Sequence, residues 1–224
     1  MGLTPLLGKQ FFCEAVILTL KFKMKKAIFL DRDWTINVET WYTHKISDLK
    51  ILDWAKEWLK ELKENWFLLI IITNQSGIWR WYYNLKDCEK FNKELEKKIQ
   101  IKFDAIYICP HKKEDNCKCR KPWIFNLIEA QKKFDIDFKK SYFLWDKESD
   151  ILIWRKVWCK TVFIKNNNYK TNIEPDYKCD NILEFSNEIT NRISENWKIS
   201  FNELNYKSLP HFVGTPFEKG RNKM

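Results

Sequence analysis

Residues 25–37 read KKAIFLDRDWTIN, and residues 67–77 read FLLIIITNQSG. Each is a short apolar run that stops abruptly on polar groups. Runs of this length, rich in β-branched and aromatic residues and too short for a helix, are read as strands buried on both faces. Working outward, strands are also expected at 104–108, 141–144 and 160–164. Between them the apolar spacing turns helical: 53–64 puts Ala55, Leu59 and Leu62 on one face, and 85–101, 124–134, 147–157 and 182–193 follow suit. Strands alternating with helices predict an α/β fold, a doubly wound, mainly parallel, Rossmann-like sheet. Its working groups should gather at the carboxyl ends of the strands. The core domain is expected over 24–193. Residues 1–23 precede Met24 and the first strand and are read as an extension that need not be native; 194–224 reads as a poorly ordered tail.

The chain has 224 residues and a net charge of +10, with 45% hydrophobic and 31% charged residues. That balance fits a soluble globular domain. The lysines are scattered over the helices without an Arg-rich stripe, so no nucleic-acid partner is expected. No apolar run reaches membrane-spanning length, so neither is a membrane. Seven cysteines, three of them between 109 and 119, suit a reducing compartment and one metal site better than a disulfide framework. Cytoplasm is the default, and a monomer is expected.

Asp31 and Asp33 lie two apart at the end of a buried strand and so point to one side. Two carboxylates this close repel unless a cation lies between them or one is protonated. Alone, such a pair is as easily a solvated acidic turn. Here matching groups stand at the other strand ends: the Thr73 hydroxyl, the Lys121 cation after Arg120, and the acidic pair Asp146 and Asp150 in DKESD. Together they form a strong signal. A second one is Cys109-Pro110-His111 followed by Cys117-Lys118-Cys119. Three thiolates and an imidazole make a tetrahedral zinc set, against the bland alternative of free cysteines in a loop. With four protein ligands no position stays open, so this zinc is structural.

FLDRDWTIN, IITNQS, CRKP and LWDKESD resemble the four motifs of the haloacid-dehalogenase superfamily of phosphotransferases. DRDxTIN, TNQSGI, CPH, CxCRKP and DKESD narrow the resemblance to heptose-bisphosphate 7-phosphatases and the related histidinol-phosphatases, over roughly residues 24–193. The resemblance implies a haloacid-dehalogenase-type sheet with a zinc loop and no large cap domain. It implies Asp31 as the nucleophile that takes the phosphoryl group and Asp33 as general acid, then base. Mg²⁺ would be held by Asp31, Asp146 and the Asp33 carbonyl. Thr73 and Lys121 would hold the transferring oxygens, while Arg32, Asn74, Gln75, Ser76, Arg120 and Lys147 would touch a small phosphorylated substrate. Asp150 would anchor the magnesium loop. The heptose bisphosphate is favoured over histidinol phosphate; a nucleic-acid 3′-phosphatase is the remaining enzymatic rival, prompted by the charge.

One feature cuts across this. The chain has 12 Trp and 5 Gly. Trp34 and Trp145 replace motif glycines, and Trp41, Trp66, Trp79, Trp81, Trp154 and Trp158 fall at turns or close contacts; Trp54, Trp58, Trp123 and Trp197 are less marked. Glycine serves such places because it reaches positive φ and has no side chain to collide. The simplest account is a gene in which UGA encodes glycine, translated with UGA as tryptophan. The alternative is an inactive relative with a blocked pocket.

Overall fold

In a computed structural model of the chain, residues 24–145, 157–164 and 174–179 are described, with Phe185 and Ile189 as single positions. The chain divides into two units, Met1–Asn187 and Glu188–Met224. The first is built on six strands: β1 (Ala27–Leu30), β2 (Leu68–Asn74), β3 (Ala105–Cys109), β4 (Tyr142–Trp145), β5 (Lys160–Ile164) and β6 (Tyr177–Cys179). All pair in parallel, in the order β3-β2-β1-β4-β5-β6. The chain therefore builds outward from β1 on one side, then restarts on the other with β4. At such a reversal the connections leave in opposite directions and open a crevice at the strands' carboxyl ends. Asp31 stands at that point, its N–H on the Leu144 carbonyl at 3.4 Å.

Every residue of β1 is buried, and four central residues of β2, Leu69–Ile72, are buried beside it. This is why these strands read as unbroken apolar runs. Three α-helices lie among the described residues: α1 (Ala55–Glu64), α2 (Leu85–Ile99) and α3 (Phe125–Phe134). α1 buries Ala55, Trp58, Leu59 and Leu62; each leucine so buried stabilises the fold by about 1.5–3 kcal/mol. α2 begins at a reciprocal cap. The Asn84 side chain accepts from the Asp87 N–H, and Asp87 accepts from the Asn84 N–H. It ends two residues earlier than its apolar spacing suggests, because Gln100 turns left-handed at φ 59°. The helices expected at 147–157 and 182–193 lie almost wholly outside the described residues. No helix among the described residues is long and apolar enough to cross a membrane.

Nine described residues have positive φ, and five are tryptophans: Trp34, Trp41, Trp66, Trp81 and Trp158, at 61–73°. Trp66 shows what the position demands. The N–H of Phe67 reaches the Leu62 carbonyl at 3.1 Å and the N–H of Trp66 reaches Lys63 at 2.9 Å. These are the two bonds that close a helix through a left-handed residue, a place glycine usually takes. The same closure follows α2 at Gln100, and α3 ends on a left-handed Asp135 whose N–H and that of Ile136 both reach the Gln131 carbonyl. The indole gains nothing in return, since Trp66 is 87% exposed. Left-handed backbone costs a residue with a β-carbon about 1–2 kcal/mol, so five such sites would use up much of an ordinary stability of about 5–15 kcal/mol. Trp58 adds a different cost: its buried indole N–H has no hydrogen-bond partner.

Trp66→Gly is therefore expected to stabilise the chain by about 1–2 kcal/mol in denaturant titration. With glycine at all twelve positions the chain should be soluble where the tryptophan form is not. Sequencing the gene checks the cause: these codons should be UGA. UGG codons, or a mass spectrum of protein from its own cells that retains Trp66, would dismiss the glycine reading.

Candidate active site

β1 ends on Asp31 and β2 on Asn74, whose register partner is Cys109 at the end of β3. Three strand ends thus bring an acidic loop, a hydroxyl and a metal-type loop together. Asp31 is 9% exposed; its Oδ2 lies 2.5 Å from Lys121 Nζ, and its Oδ1 accepts the Arg32 N–H at 2.7 Å. Lys121 is 5% exposed and is brought to Asp31 by its backbone. Its N–H donates to Asn74 Oδ1 at 3.0 Å, while Asn74 Nδ2 donates to its carbonyl at 3.1 Å. Asn74, expected to touch substrate, thus grips the Lys121 peptide from both sides.

Asp33 accepts four hydrogen bonds. Arg32 supplies two, Nε to Oδ1 at 3.0 Å and Nη2 to Oδ2 at 3.1 Å. Asn37 Nδ2 reaches Oδ1 at 3.0 Å and Gln75 Nε2 reaches Oδ2 at 2.8 Å. The second Gln75 amide bond goes to Thr73 Oγ1 at 2.9 Å. Among the residues expected to touch substrate, Arg32 also lies elsewhere. Its side chain is fully buried, and it further donates to the Thr43 carbonyl and to Asn92 Oδ1, with Phe91 under the guanidinium at 4.6 Å. Burial alone would lower its pKa, but Asp33 beside it prevails and the value is raised. The chain thus holds a buried cation whose counter-charge is Asp33. Ser76 is half-buried, with its carbonyl accepting from the Arg80 N–H.

Cys109, His111, Cys117 and Cys119 offer ligand atoms that all lie within 4.8 Å of one another. The sulfurs of Cys109 and Cys119 lie 3.8 and 3.4 Å from His111 Nδ1, and the Cys117 and Cys119 sulfurs are 2.8 Å apart. A tetrahedral zinc spaces its sulfurs by about 3.8 Å, so that last pair would open by about 1 Å. In donor type and spread the group fits a metal ion. Arg120 Nη1 donates to the His111 carbonyl at 2.8 Å, tying the loop to the residue beside Lys121. Asp146, Lys147 and Asp150 lie outside the described residues.

A family profile described as polynucleotide kinase 3 phosphatase matches residues 25–180. A D-glycero-beta-D-manno-heptose-1,7-bisphosphate 7-phosphatase of Helicobacter pylori is 36% identical over 163 residues, 71% of this chain and 94% of that protein. The alpha-heptose enzyme of Campylobacter jejuni is 43% identical over 130 residues, 56% of this chain and 74% of its own. The chain belongs to the heptose-bisphosphate phosphatase family. Its fold matches that of the D,D-heptose 1,7-bisphosphate phosphatase of B. bronchiseptica, solved with magnesium and phosphate. The TM-score is 0.69 at 21% identity, over 75% of this chain and 99% of the other.

Thr73, Asn74 and Gln75 could have been told apart by the strand's period of two, which puts Thr73 and Gln75 together on one side, where Gln75 meets Asp33, and Asn74 on the other at the Lys121 peptide. Tyr83 and His44 carried no signal as site residues, yet Tyr83 Oη donates to Gln75 Oε1 at 2.6 Å and its ring stacks on His44 at 4.4 Å.

Asp33→Asn should cost about 3–5 kcal/mol, because the buried Arg32 charge loses its partner. Exchanging Arg32 and Asp33 together for a neutral pair should cost less than the two single changes summed. Additive losses in a denaturant double-mutant cycle would show that the pair is not coupled.

Proposed function

We propose that this phosphatase hydrolyses a heptose 1,7-bisphosphate at its 7-phosphate through an aspartyl-phosphate on Asp31, within a catalytic domain spanning 24–193. The observation that supports this best is Asp31 held 2.5 Å from the buried Lys121, with Asp33 two residues on. An Asp31 carboxylate oxygen attacks phosphorus, and the bond from phosphorus to the sugar oxygen breaks. Asp33 enters the step protonated, giving up one of the four hydrogen bonds it accepts at rest. It passes that proton to the sugar oxygen, then takes one from the water that attacks the aspartyl-phosphate, which releases inorganic phosphate and frees Asp31. Lys121 turns from Asp31 to the phosphoryl oxygens and, with the Thr73 hydroxyl, holds them as charge builds. Carboxylate and carbonyl oxygens suit Mg²⁺: Asp31, the Asp33 carbonyl and Asp146 would hold it, and the ion supplies neutralisation of the phosphate's charge.

Lys113, Asn116, Arg120, Lys121 and Pro122 line a pocket beside this site. With Lys121 on the transferring phosphate, Lys113 and Arg120 leave two cations that suit a substrate with a second phosphate. Histidinol phosphate would bring an ammonium group towards them, which like charge disfavours. The polynucleotide description of the matching profile favours a second reading, removal of a 3′-phosphate from nucleic acid.

In Mg²⁺ the soluble form of the chain should prefer heptose 1,7-bisphosphate over histidinol phosphate by about tenfold or more in kcat/KM, and over a 3′-phosphorylated oligonucleotide. Asp31→Asn should abolish release of phosphate while circular dichroism stays unchanged. Preference for the oligonucleotide, or turnover by Asp31→Asn, would overturn the reading.

Cys109, His111, Cys117 and Cys119 would hold zinc, which stiffens a loop with few apolar residues and keeps Arg120 and Lys121 beside the phosphate. Metal analysis of protein purified without chelator should find about one zinc per chain. Cys117→Ser should lower zinc content and melting temperature together; full zinc retention would remove Cys117 from the set.

A further inference from the structure

We propose that Tyr83 is a positioning residue for phosphoryl transfer, setting Asp33 and Thr73 through the side chain of Gln75. The inference rests on the roles given to Asp33 and Thr73 above. Gln75 is 3% exposed, and its amide has two different ends. Because Tyr83 Oη donates to Gln75 Oε1 at 2.6 Å, the nitrogen end must face the opposite way. There its two hydrogens go to Asp33 Oδ2 at 2.8 Å and Thr73 Oγ1 at 2.9 Å. One amide thus links the proton-transferring carboxylate to the phosphate-holding hydroxyl. A hydroxyl that accepts from Gln75 keeps its own proton to donate, which is what binding an anionic oxygen requires.

Tyr83 is itself fixed. It is 7% exposed, and its ring stacks on His44 with an interplanar angle of 13°. Burial raises the Tyr83 pKa above that of an ordinary phenol, so the hydroxyl remains a donor. The ring occupies space that exists only because residue 77 has no side chain: a β-carbon at Gly77 would lie 2.3 Å from Tyr83 Cε1. The glycine after Gln75 and Ser76 is therefore required by the ring of Tyr83. Arg32 and Asn37 also restrain Asp33, Arg32 sharing Oδ2 with Gln75, but neither touches Thr73 in the contacts described. Gln75 is what joins the two groups.

The test uses a ratio that does not depend on how much enzyme is folded. kcat/KM reports the steps through transfer to Asp31, where Asp33 serves as acid. A sugar alkoxide needs that proton, whereas p-nitrophenolate leaves readily without it. Heptose 1,7-bisphosphate and p-nitrophenyl phosphate are compared for the full chain in its soluble form, with glycine at the twelve tryptophan positions, and for Tyr83→Phe, Gly77→Ala and Asp33→Asn in that same background. Tyr83→Phe removes the hydroxyl; Gly77→Ala displaces the ring. Both should lower the sugar-to-aryl ratio of kcat/KM on the order of tenfold, a fraction of what a general acid contributes. KM for the sugar should stay within about twofold, and zinc content should not change. An equal loss on both substrates in either variant overturns the proposal and leaves Tyr83 as packing. If Asp33→Asn itself leaves the ratio unchanged, Asp33 is not the acid, and its assignment falls first and takes this inference with it.

Discussion

The guanidinium of Arg32 is a full charge taken entirely out of water, and the acidic side of the site is arranged around satisfying it. Removing such an ion from solvent costs several kcal/mol unless geometry and hydrogen bonds offset it. Here Asp33 supplies the counter-charge, and the Thr43 carbonyl and Asn92 take remaining protons. That requirement joins three separate pieces of chain: the turn after β1, the loop at Thr43, and α2 through Asn92 and Phe91. A carboxylate anchored in this way is held in one place before any ligand arrives. Such preorganisation is what proton transfer to a leaving group needs.

The opposite side of the site depends on a short polar loop rather than on a core. Residues 110–120 carry little apolar surface, so hydrophobic burial cannot order them. Covalent neighbours and polar contacts must do it. The chain reaches Lys121 from the Cys/His group through Arg120, whose side chain is tied to the His111 carbonyl, and Asn74 then fixes the Lys121 peptide. β2 and β3 end in register, so Asn74 and Cys109 sit side by side. A metal ion in the Cys/His group would stiffen the same path that sets the Lys121 ammonium 2.5 Å from Asp31.

Much of this was legible in the sequence because parallel strands buried on both faces leave unmistakable apolar runs. β1, β2 and β5 fall where such runs lie. β6 was not foreseen: Tyr177-Lys178-Cys179 is three residues long, lies at the sheet's edge and has an exposed lysine at its centre. The clustering of Asp31, Asp33, Thr73 and Lys121 followed from motif order and strand ends. What motif order could not give was direction. Arg32 sits between two acids and looks like a substrate cation, but its neighbours at Thr43, Cys88 and Asn92 arrive from distant sequence. Only tertiary packing reveals that it faces inward. Tyr83 was invisible for the same reason, since a tyrosine in a turn gives no hint that a glycine six residues earlier has made room for its ring.

The tryptophans allow two accounts to be separated on physical grounds. If the pocket had been blocked as activity decayed, bulky residues should collect near Asp31, and the backbone elsewhere should keep its normal choices. Trp34, Trp145 and Trp123 would fit that view, since Trp34 is next to Asp33, Trp145 ends β4 and Trp123 lines the pocket beside Lys121. Trp66 follows α1 at the end opposite to the strands' carboxyl ends, and Trp158 precedes β5; neither adjoins the acidic loop in sequence, yet both are left-handed and strongly exposed. Selection on a pocket has no hold on such positions. What they share is backbone conformation, φ near 61–73°, which glycine adopts freely and tryptophan does not. A cause that depends on conformation and ignores distance from the site acts at the level of the residue that each codon specifies. It also leaves Asp31, Asp33, Thr73, Lys121 and the four Cys/His donors untouched, because none of them stands where a glycine is needed.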